Sequence, residues 1–201
     1  LKAPEDLNWE VITAVAYEGV RLDIAPELLA SVERGREIFN ELIDAGAPCY
    51  GVTTGLGRLS TTDLSTEARD AISRNILLAR AAAFGEPLPR PVVRAMMMVR
   101  LANFLSGQDG VSAGLCQFIA ARLNDDFDPF VPALGHGFAA DGTPNAHCFQ
   151  TLIGEGRVLD PDGEPVAAAV ALAARGAAPY SPGSKEGLAL INGITALPAY
   201  A

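Results

Sequence analysis

The sequence predicts a mainly α-helical protein with small β elements. Apolar residues recur at helical spacing in several separate stretches, glycine and proline cluster between those stretches, and the strand-like segments are few and short. A chain of 201 residues, of which 49% are apolar, is long enough to bury one sizeable core. We therefore expect residues 1–201 to form a single domain.

Two amphipathic helices are predicted before residue 50. The first is short, covers residues 8–17 and has one apolar face made by Trp9, Ile12 and Val15 or Ala16, after which residues 20–22 look extended. A proline at position 26 opens the second, longer helix, and a glycine at position 46 ends it. Its predicted apolar stripe consists of Leu28, Leu29, Val32, Phe39, Leu42 and Ile43.

Three further helices are predicted between residues 65 and 123. The first covers residues 65–84 and ends in the small run Ala81-Ala82-Ala83, before a glycine and two prolines stop it. The second covers residues 91–105 and contains Met96-Met97-Met98, which we interpret as adaptable core filling rather than a cofactor site. The third covers residues 111–123.

The last third of the chain predicts less regular structure. Residues 125–142 are rich in Asp, Pro and Gly and keep no hydrophobic period, which predicts a loop. Residues 148–153 resume a helix, and residues 157–166 are typical of a small hairpin around a Pro-Asp-Gly turn. The final predicted helices cover residues 167–174 and 185–191.

Composition argues against several classes of partner. A net charge of −9 and a pI near 4.7 disfavour nucleic acid or an anionic membrane surface, because both require a basic face. No apolar run reaches the roughly 18 residues of a spanning helix, and the first residues lack a secretory pattern, so we predict a cytoplasmic protein. Cys49, Cys116 and Cys148 have no CxxC spacing, which predicts neither a disulfide framework nor a zinc site.

A glycine-rich run between the second and third helices, Tyr50-Gly51-Val52-Thr53-Thr54-Gly55-Leu56-Gly57, has the composition of an active-site loop. Its glycines allow positive φ angles and a close approach of the backbone to a ligand, and Tyr50 supplies a phenol for proton transfer. A tight turn between helices with a packed tyrosine is the alternative interpretation. We call residues 50–57 the tyrosine loop.

The tyrosine loop is similar to the YGxNTGxG segment of the aromatic amino acid ammonia-lyase and aminomutase family, which includes the histidine and phenylalanine ammonia-lyases. Four later segments recur in that family's order: NILLAR at 75–80, Val131-Pro132 before a glycine-rich loop, LIGEG at 152–156 and KEGLALING at 185–193. The resemblance covers most of the chain from Tyr50 to Gly193. It implies the fold of the N-terminal domain of the histidine and phenylalanine ammonia-lyases.

The resemblance also implies roles for individual residues. Tyr50 corresponds to the family tyrosine that acts as base toward the β-proton of the substrate, and Asn192 corresponds to an asparagine near the substrate amine. Arg80 stands where histidine ammonia-lyases carry a histidine that faces the substrate side chain. A guanidinium suits a carboxylate, a phosphate or an aromatic ring, the alternative being a solvated helix arginine. We also assign Leu56 and Gly57 to substrate binding.

The family's electrophile, called MIO, forms by cyclisation and dehydration of an Ala-Ser-Gly tripeptide within a GSxGASGDLxPLxH segment. The corresponding residues 135–147 are GHGFAADGTPNAH, so the outer landmarks match but the interior is one residue shorter and has no serine. Ala139 and Ala140 have no hydroxyl to eliminate, and the hydroxyl of Thr143 matches in neither place nor flanks. We therefore predict that no MIO cofactor forms.

His136 and Asp141 of this second loop are further candidates for substrate binding. An imidazole suits general acid–base catalysis near neutral pH, whereas a histidine exposed on a surface loop is the alternative for His136. We interpret His147, which lies on the family's own histidine, as structural. The three residues have no familiar metal-ligand spacing, which predicts no metal site.

Three functions are compatible with this sequence. The first is an MIO-less enzyme that catalyses an elimination, isomerisation or cyclisation on an amino-acid-derived or aromatic small molecule, with Tyr50 in proton transfer. The second is a non-catalytic subunit that assembles with itself or with a helical partner. The third is a fragment of a conventional MIO-dependent ammonia-lyase. Family members continue past the KEGLxLxNG segment into a bundle of long helices that forms a tetramer core, which we expect to be absent here, and the resemblance implies a homo-oligomer.

Overall fold

The computed structural model describes residues 1–136 and 140–200. Its helices are α1 (Trp9–Tyr17), α2 (Pro26–Asp44), α3 (Thr66–Arg80), α4 (Arg90–Leu105), α5 (Ala113–Asn124), α6 (Gly142–Gln150), α7 (Ala168–Ala174), α8 (Glu186–Ile191) and α9 (Ala196–Tyr200). Its strands are β1 (Phe84–Pro87), β2 (Asp128–Pro129), β3 (Pro132–Leu134), β4 (Arg157–Leu159) and β5 (Pro165–Ala167). The predicted fold class, mainly α with small β elements, is confirmed.

Helix α4 lies at the centre of the core, where α1, α2, α5, α6 and α9 all pack against it. Met96, Met97 and Met98 are fully buried, which confirms their interpretation as core filling. Most apolar side chains of α4 are buried by these neighbours, together with the two arginines Arg94 and Arg100. A helix buried in this way depends on the surrounding elements for its stability.

Two small antiparallel sheets connect the helices. Strand β1 pairs with β3, so that Phe84 lies opposite Leu134, and β4 pairs with both β2 and β5. The pairing of β4 with β5 confirms the hairpin that the Pro-Asp-Gly turn predicted. Strand β1 follows α3 in the chain, and β3 precedes the loop that leads to α6. Pairing of the two strands therefore connects the end of α3 to the segment before α6, and both segments contribute to the candidate site.

The prediction that the third helix extends to residue 84 is wrong, because α3 ends at Arg80. The three alanines that follow favour a helix by intrinsic propensity, but tertiary contacts override it. Ala83 donates its backbone N–H to Nε2 of His147 at 2.9 Å, and β1 begins at the next residue. The chain therefore turns away from α3 immediately after Arg80.

The prediction of an unbroken loop over 125–142 is also wrong, because β2 and β3 lie within it. Helix α6 begins at Gly142, six residues before the predicted start at Cys148, and α9 was not predicted at all. On the outer helices the predicted apolar faces are too wide. Trp9 is 46% exposed and Leu42 is 55% exposed, whereas α2 buries only Leu28 and Val32.

The cysteines are free, with Cys116 and Cys148 buried and Cys49 half-buried. No helix in the described ranges 1–136 and 140–200 combines the length and the apolar character needed to cross a membrane.

Candidate functional site

A cleft of about 440 Å³ opens between α3, α8, the tyrosine loop and the start of α6. Helix α3 contributes Ile76, Ala79 and Arg80, and the end of α8 contributes Leu188, Ile191 and Asn192. The spacing i, i+3, i+4 places Ile76, Ala79 and Arg80 on one face of α3. Asn192, directly after α8, continues the face of Leu188 and Ile191. The two helices thus line the same cleft.

The close approach of α3 and α8 depends on Gly187. A Cβ atom at this position would lie 1.8 Å from the carbonyl oxygen of Ser73, which is far inside van der Waals contact. The hydroxyl of Ser73 in turn donates to the carbonyl oxygen of Gly183 at 2.7 Å, just before α8 begins. These contacts fix the separation of the two helices and therefore the width of the cleft.

The tyrosine loop closes one side of the cleft with Tyr50 and Leu56. The carbonyl oxygen of Cys49 accepts the backbone N–H groups of the next turn, and Gly51 adopts a φ of +68°. A Cβ on Gly51 would lie 2.7 Å from a methyl group of Leu56 and 2.8 Å from one of Leu188, so the positive φ favours glycine and both leucines pack closely against it. The loop is therefore packed onto the same helix that carries Asn192.

Tyr50 is positioned by its own loop. The backbone N–H of Gly57 donates to the phenol oxygen of Tyr50 at 3.0 Å, and Gly57 has a φ of +57° that favours glycine. The tyrosine side chain is 52% exposed and lines the cleft. The phenol oxygen thus has one fixed donor and remains accessible to a ligand.

Arg80 and Asn192 supply the other polar groups that sequence predicted for this site. Arg80 is the last residue of α3, and Asn192 follows the last residue of α8. Arg80 is the one charged side chain among the cleft residues that the structure describes. The cleft therefore combines apolar walls with one cationic group, one phenol, one amide and the hydroxyl of Thr143.

His136 and Asp141 are not among the residues that line the cleft. One ring nitrogen of His136, Nε2, lies 2.5 Å from the carbonyl oxygen of Pro132, on the strand before it. The carboxylate of Asp141 accepts the backbone N–H groups of Thr195 and Ala196, both at 2.7 Å, and so caps the start of α9. The structure brings Tyr50, Leu56, Arg80 and Asn192 together and leaves His136 and Asp141 outside the described lining. Gly57 does not line the cleft either, and reaches it only through its N–H bond to Tyr50.

Sequence reasoning missed the start of α6, which contributes Gly142 and Thr143 to the cleft, and Ala140, which lies two residues before that helix and also lines the cleft. The sequence signal for a helix was weak at this point, because the first turn of α6 is Gly-Thr-Pro and has no periodic apolar residues. A proline within the first turn was the available indication of an earlier helix start. Residues 137–139 lie outside the described residues. They include Ala139, one of the two alanines that occupy the region of the family's Ala-Ser-Gly tripeptide.

His147 connects α6 to the segment after Arg80. Its Nε2 accepts the N–H of Ala83, which requires an imidazole without a proton on that nitrogen. Burial, with smaller effects from His136 and Arg157, lowers the pKa of His147 from 6.5 to about 4. The structural role assigned to this residue from sequence agrees with these contacts.

Acidification from pH 7 to pH 4 is expected to destabilise the chain through His147. Between the unfolded pKa near 6.5 and the folded pKa of about 4 the unfolded state binds more protons, so this stabilisation is complete above pH 6.5 and is lost as the pH falls toward 4. Thermal unfolding between pH 7.5 and 4.5 measures the effect. In the control His147→Gln, Oε1 can accept from Ala83 without titrating, and equal pH slopes for both proteins would contradict the prediction.

The mainly helical fold with small β elements is shared with solved ammonia-lyases and aminomutases. Residues 7–201 match the family described as aromatic amino acid lyase. The chain belongs to that family.

Individual relatives agree with this assignment. The chain is 40% identical over 183 residues to the histidine ammonia-lyase of Streptomyces coelicolor, covering 90% of this chain and 36% of that protein. It is 39% identical over 194 residues to the histidine ammonia-lyase of Symbiobacterium thermophilum, and this match covers 96% of this chain and 38% of that protein. The crystal structure of tyrosine aminomutase from Streptomyces globisporus superposes with a TM-score of 0.87 at 33% identity, and this match covers 94% of this chain and 36% of that one. The chain spans a little over a third of the length of these relatives.

Proposed function

We propose that the cleft binds an amino-acid-derived substrate and catalyses an elimination or isomerisation in which Tyr50 transfers a proton. The observation that carries this proposal is the convergence of Tyr50, Arg80 and Asn192, from three separate parts of the chain, on one cleft. Relatives named for reactions on histidine and tyrosine support an amino acid as the parent of the substrate. Asn192 is proposed to hold a polar group of the substrate.

The hydrogen bond between Gly57 and Tyr50 supports the proposed proton transfer. When a phenol accepts or gives up a proton, the charge on its oxygen changes. A backbone N–H at 3.0 Å from that oxygen stabilises the form with more negative charge without any reorganisation. Tyr50 is therefore oriented for reaction before a substrate arrives.

The residues present do not fit formation of the MIO group, and the proposed reaction uses none. Residues 135–147 contain no serine, and the one hydroxyl in that stretch belongs to Thr143, inside the first turn of α6. Ammonia is a poor leaving group when nothing activates the amine. The substrate is therefore expected to carry a more acidic proton or a better leaving group than a simple amino acid.

Arg80 determines the proposed class of substrate. The described cleft residues include a guanidinium and no carboxylate, and the walls formed by Leu56, Ile76 and Leu188 are apolar. Such a cleft favours an aromatic or aliphatic body that bears an anionic group, because a guanidinium binds a carboxylate or phosphate with paired hydrogen bonds.

A second copy of the chain or a helical partner subunit is proposed to cover the open side of the cleft, where Tyr50 is 52% exposed.

A comparison of aromatic amino acids with and without a second carboxylate tests this proposal. Binding is measured by calorimetry for L-histidine, L-tyrosine and 4-carboxy-L-phenylalanine, which serve as ligands because ammonia is a poor leaving group in all three. The carboxylated compound is expected to bind most tightly, and Arg80→Ala is expected to raise its Kd by about 10- to 100-fold, because a hydrogen bond to a charged group is lost. Arg74→Ala, on the same helix but paired with Glu155 outside the cleft, is the matched control.

An unchanged preference in Arg80→Ala would remove Arg80 from the substrate site. Absence of binding for all three compounds would instead favour the second candidate, a non-catalytic subunit. The observation that favours this second candidate is the lack of a serine in residues 135–147, where the resembled family forms its electrophile.

A further inference from the structure

The connection from α8 to α9 carries Asn192 and is held by the start of α6. Asp141 donates its backbone N–H to the carbonyl oxygen of Gly193 at 3.2 Å. Its carboxylate accepts the N–H groups of Thr195 and Ala196 at 2.7 Å each. These contacts hold the connection at residues one, three and four positions after Asn192, but none of them lies on the α8 side of Asn192.

The side chain of Asn145, on α6, holds the backbone on both sides of Asn192. Its amide Nδ2 donates to the carbonyl oxygen of Ile191 at 3.2 Å and to that of Gly193 at 3.4 Å. The first carbonyl belongs to the residue before Asn192, and the second belongs to the residue after it. One buried amide therefore contacts both neighbours of a proposed substrate-binding residue.

Thr195 sets the orientation of this amide. Its hydroxyl donates to Oδ1 of Asn145, and both side chains are fully buried. Because the amide oxygen accepts this bond, the amide nitrogen must face the two carbonyl groups. The pair is thus a small network in which each group has a defined partner, as a buried polar network requires.

A buried amide at this position needs an explanation. Leucine occupies the equivalent place in the GSxGASGDLxPLxH segment that residues 135–147 resemble, and an apolar side chain there needs no partners. Asn145 has no exposed surface, and burial of an amide is unfavourable unless hydrogen bonds compensate. What these hydrogen bonds hold is the segment that carries Asn192.

We propose that Asn145, oriented by Thr195, is a positioning residue that holds Asn192 in place at the cleft. The inference rests on the proposed function, because that proposal assigns Asn192 to the substrate. A displacement of about 1 Å in a substrate-binding group lowers activity strongly, so the residues that fix its backbone matter as much as the group itself.

A double-mutant cycle between Asn145 and Asn192 tests this role. Asn145→Leu keeps a similar volume but removes the hydrogen bonds, and Thr195→Val removes only the hydroxyl. Binding of 4-carboxy-L-phenylalanine to the full chain is measured by calorimetry. Asn145→Leu and Asn192→Ala are each expected to weaken binding about tenfold, and Thr195→Val about threefold. The double variant Asn145→Leu/Asn192→Ala is expected to be no weaker than Asn192→Ala alone.

Asn124→Leu is the matched control, because Asn124 also holds a backbone segment, by bonds of 2.7 and 2.8 Å with Leu22, away from the cleft. It is expected to lower thermal stability without changing binding. If Asn145→Leu fails to fold, Thr195→Val and its double variant with Asn192→Ala replace it in the cycle.

The outcomes separate this inference from the proposed function. If Asn192→Ala binds as well as the natural chain, or the natural chain does not bind, the proposed role of Asn192 fails and the inference falls with it. If Asn192→Ala weakens binding but Asn145→Leu does not, the inference alone is overturned. Additive losses in the double variant would also overturn it, because Asn145 would then act independently of Asn192.

Discussion

Tyr50→Phe is expected to lower kcat by about 100- to 10,000-fold on the substrate that the cleft turns over, with little change in KM. The substitution removes only the hydroxyl, which accepts the N–H of Gly57 at 3.0 Å and is the proposed proton-transfer group. The ring remains to pack beside Leu56 at the edge of the cleft. Steady-state kinetics separate the two parameters, and a loss confined to kcat identifies a group that acts in the chemical step.

The matched control for this prediction is Tyr17→Phe. Tyr17 is as exposed as Tyr50, and its hydroxyl donates to the carbonyl oxygen of Ala199 at 3.4 Å, outside the cleft. Its turnover is expected to equal that of the natural chain. A Tyr50→Phe protein with unchanged kcat would refute proton transfer by Tyr50 and would leave the cleft as a binding site only.

Helix positions followed from sequence wherever local signals and tertiary contacts agree. Helix α4 was predicted within one residue at its start, because the proline in its first turn marks a helix start and the mostly apolar residues that follow continue the helix. Helix α3 was predicted four residues too long, because the three alanines after Arg80 favour a helix in isolation. The hydrogen bond from Ala83 to His147 joins residues 64 positions apart, and no local pattern reports it.

The same distinction between local signals and distant contacts applies to the candidate site. Tyr50, Arg80 and Asn192 were predicted from motifs that each lie within a few residues, and the structure brings them to one cleft. Asp141 was a candidate for substrate binding from its place in the second loop, whereas in the structure its carboxylate accepts backbone N–H groups at the start of α9, more than fifty residues later. Backbone N–H groups have no sequence signature, so this contact could not be predicted. The role of the Asn145 amide could not be predicted either, because its partners include backbone carbonyl groups more than forty residues later in the chain.

Glu186→Ala is expected to lower the free energy of unfolding by about 3–5 kcal/mol, because several buried donors lose their acceptor together. Glu186 is 1% exposed. Its Oε1 accepts the backbone N–H of Ser112 at 2.9 Å and the Ser112 hydroxyl at 2.7 Å. Its Oε2 accepts the N–H of Gly183 at 2.7 Å and the Tyr180 hydroxyl at 2.9 Å. Burial and this carboxylate raise the pKa of Tyr180 above its ordinary value, which keeps the phenol a donor.

Chemical denaturation of three proteins measures this effect. Glu186→Gln keeps the shape, but in either orientation its amide nitrogen faces a backbone N–H, so an intermediate loss of about 1–3 kcal/mol is expected. Glu41→Ala, at an exposed position on α2, is expected to change stability by less than about 0.5 kcal/mol. A Glu186→Ala protein as stable as the Glu41 variant would show that water replaces the carboxylate. Because Glu186 is the first residue of the helix that carries Leu188 and Ile191 and is followed by Asn192, its loss is also expected to loosen one wall of the cleft.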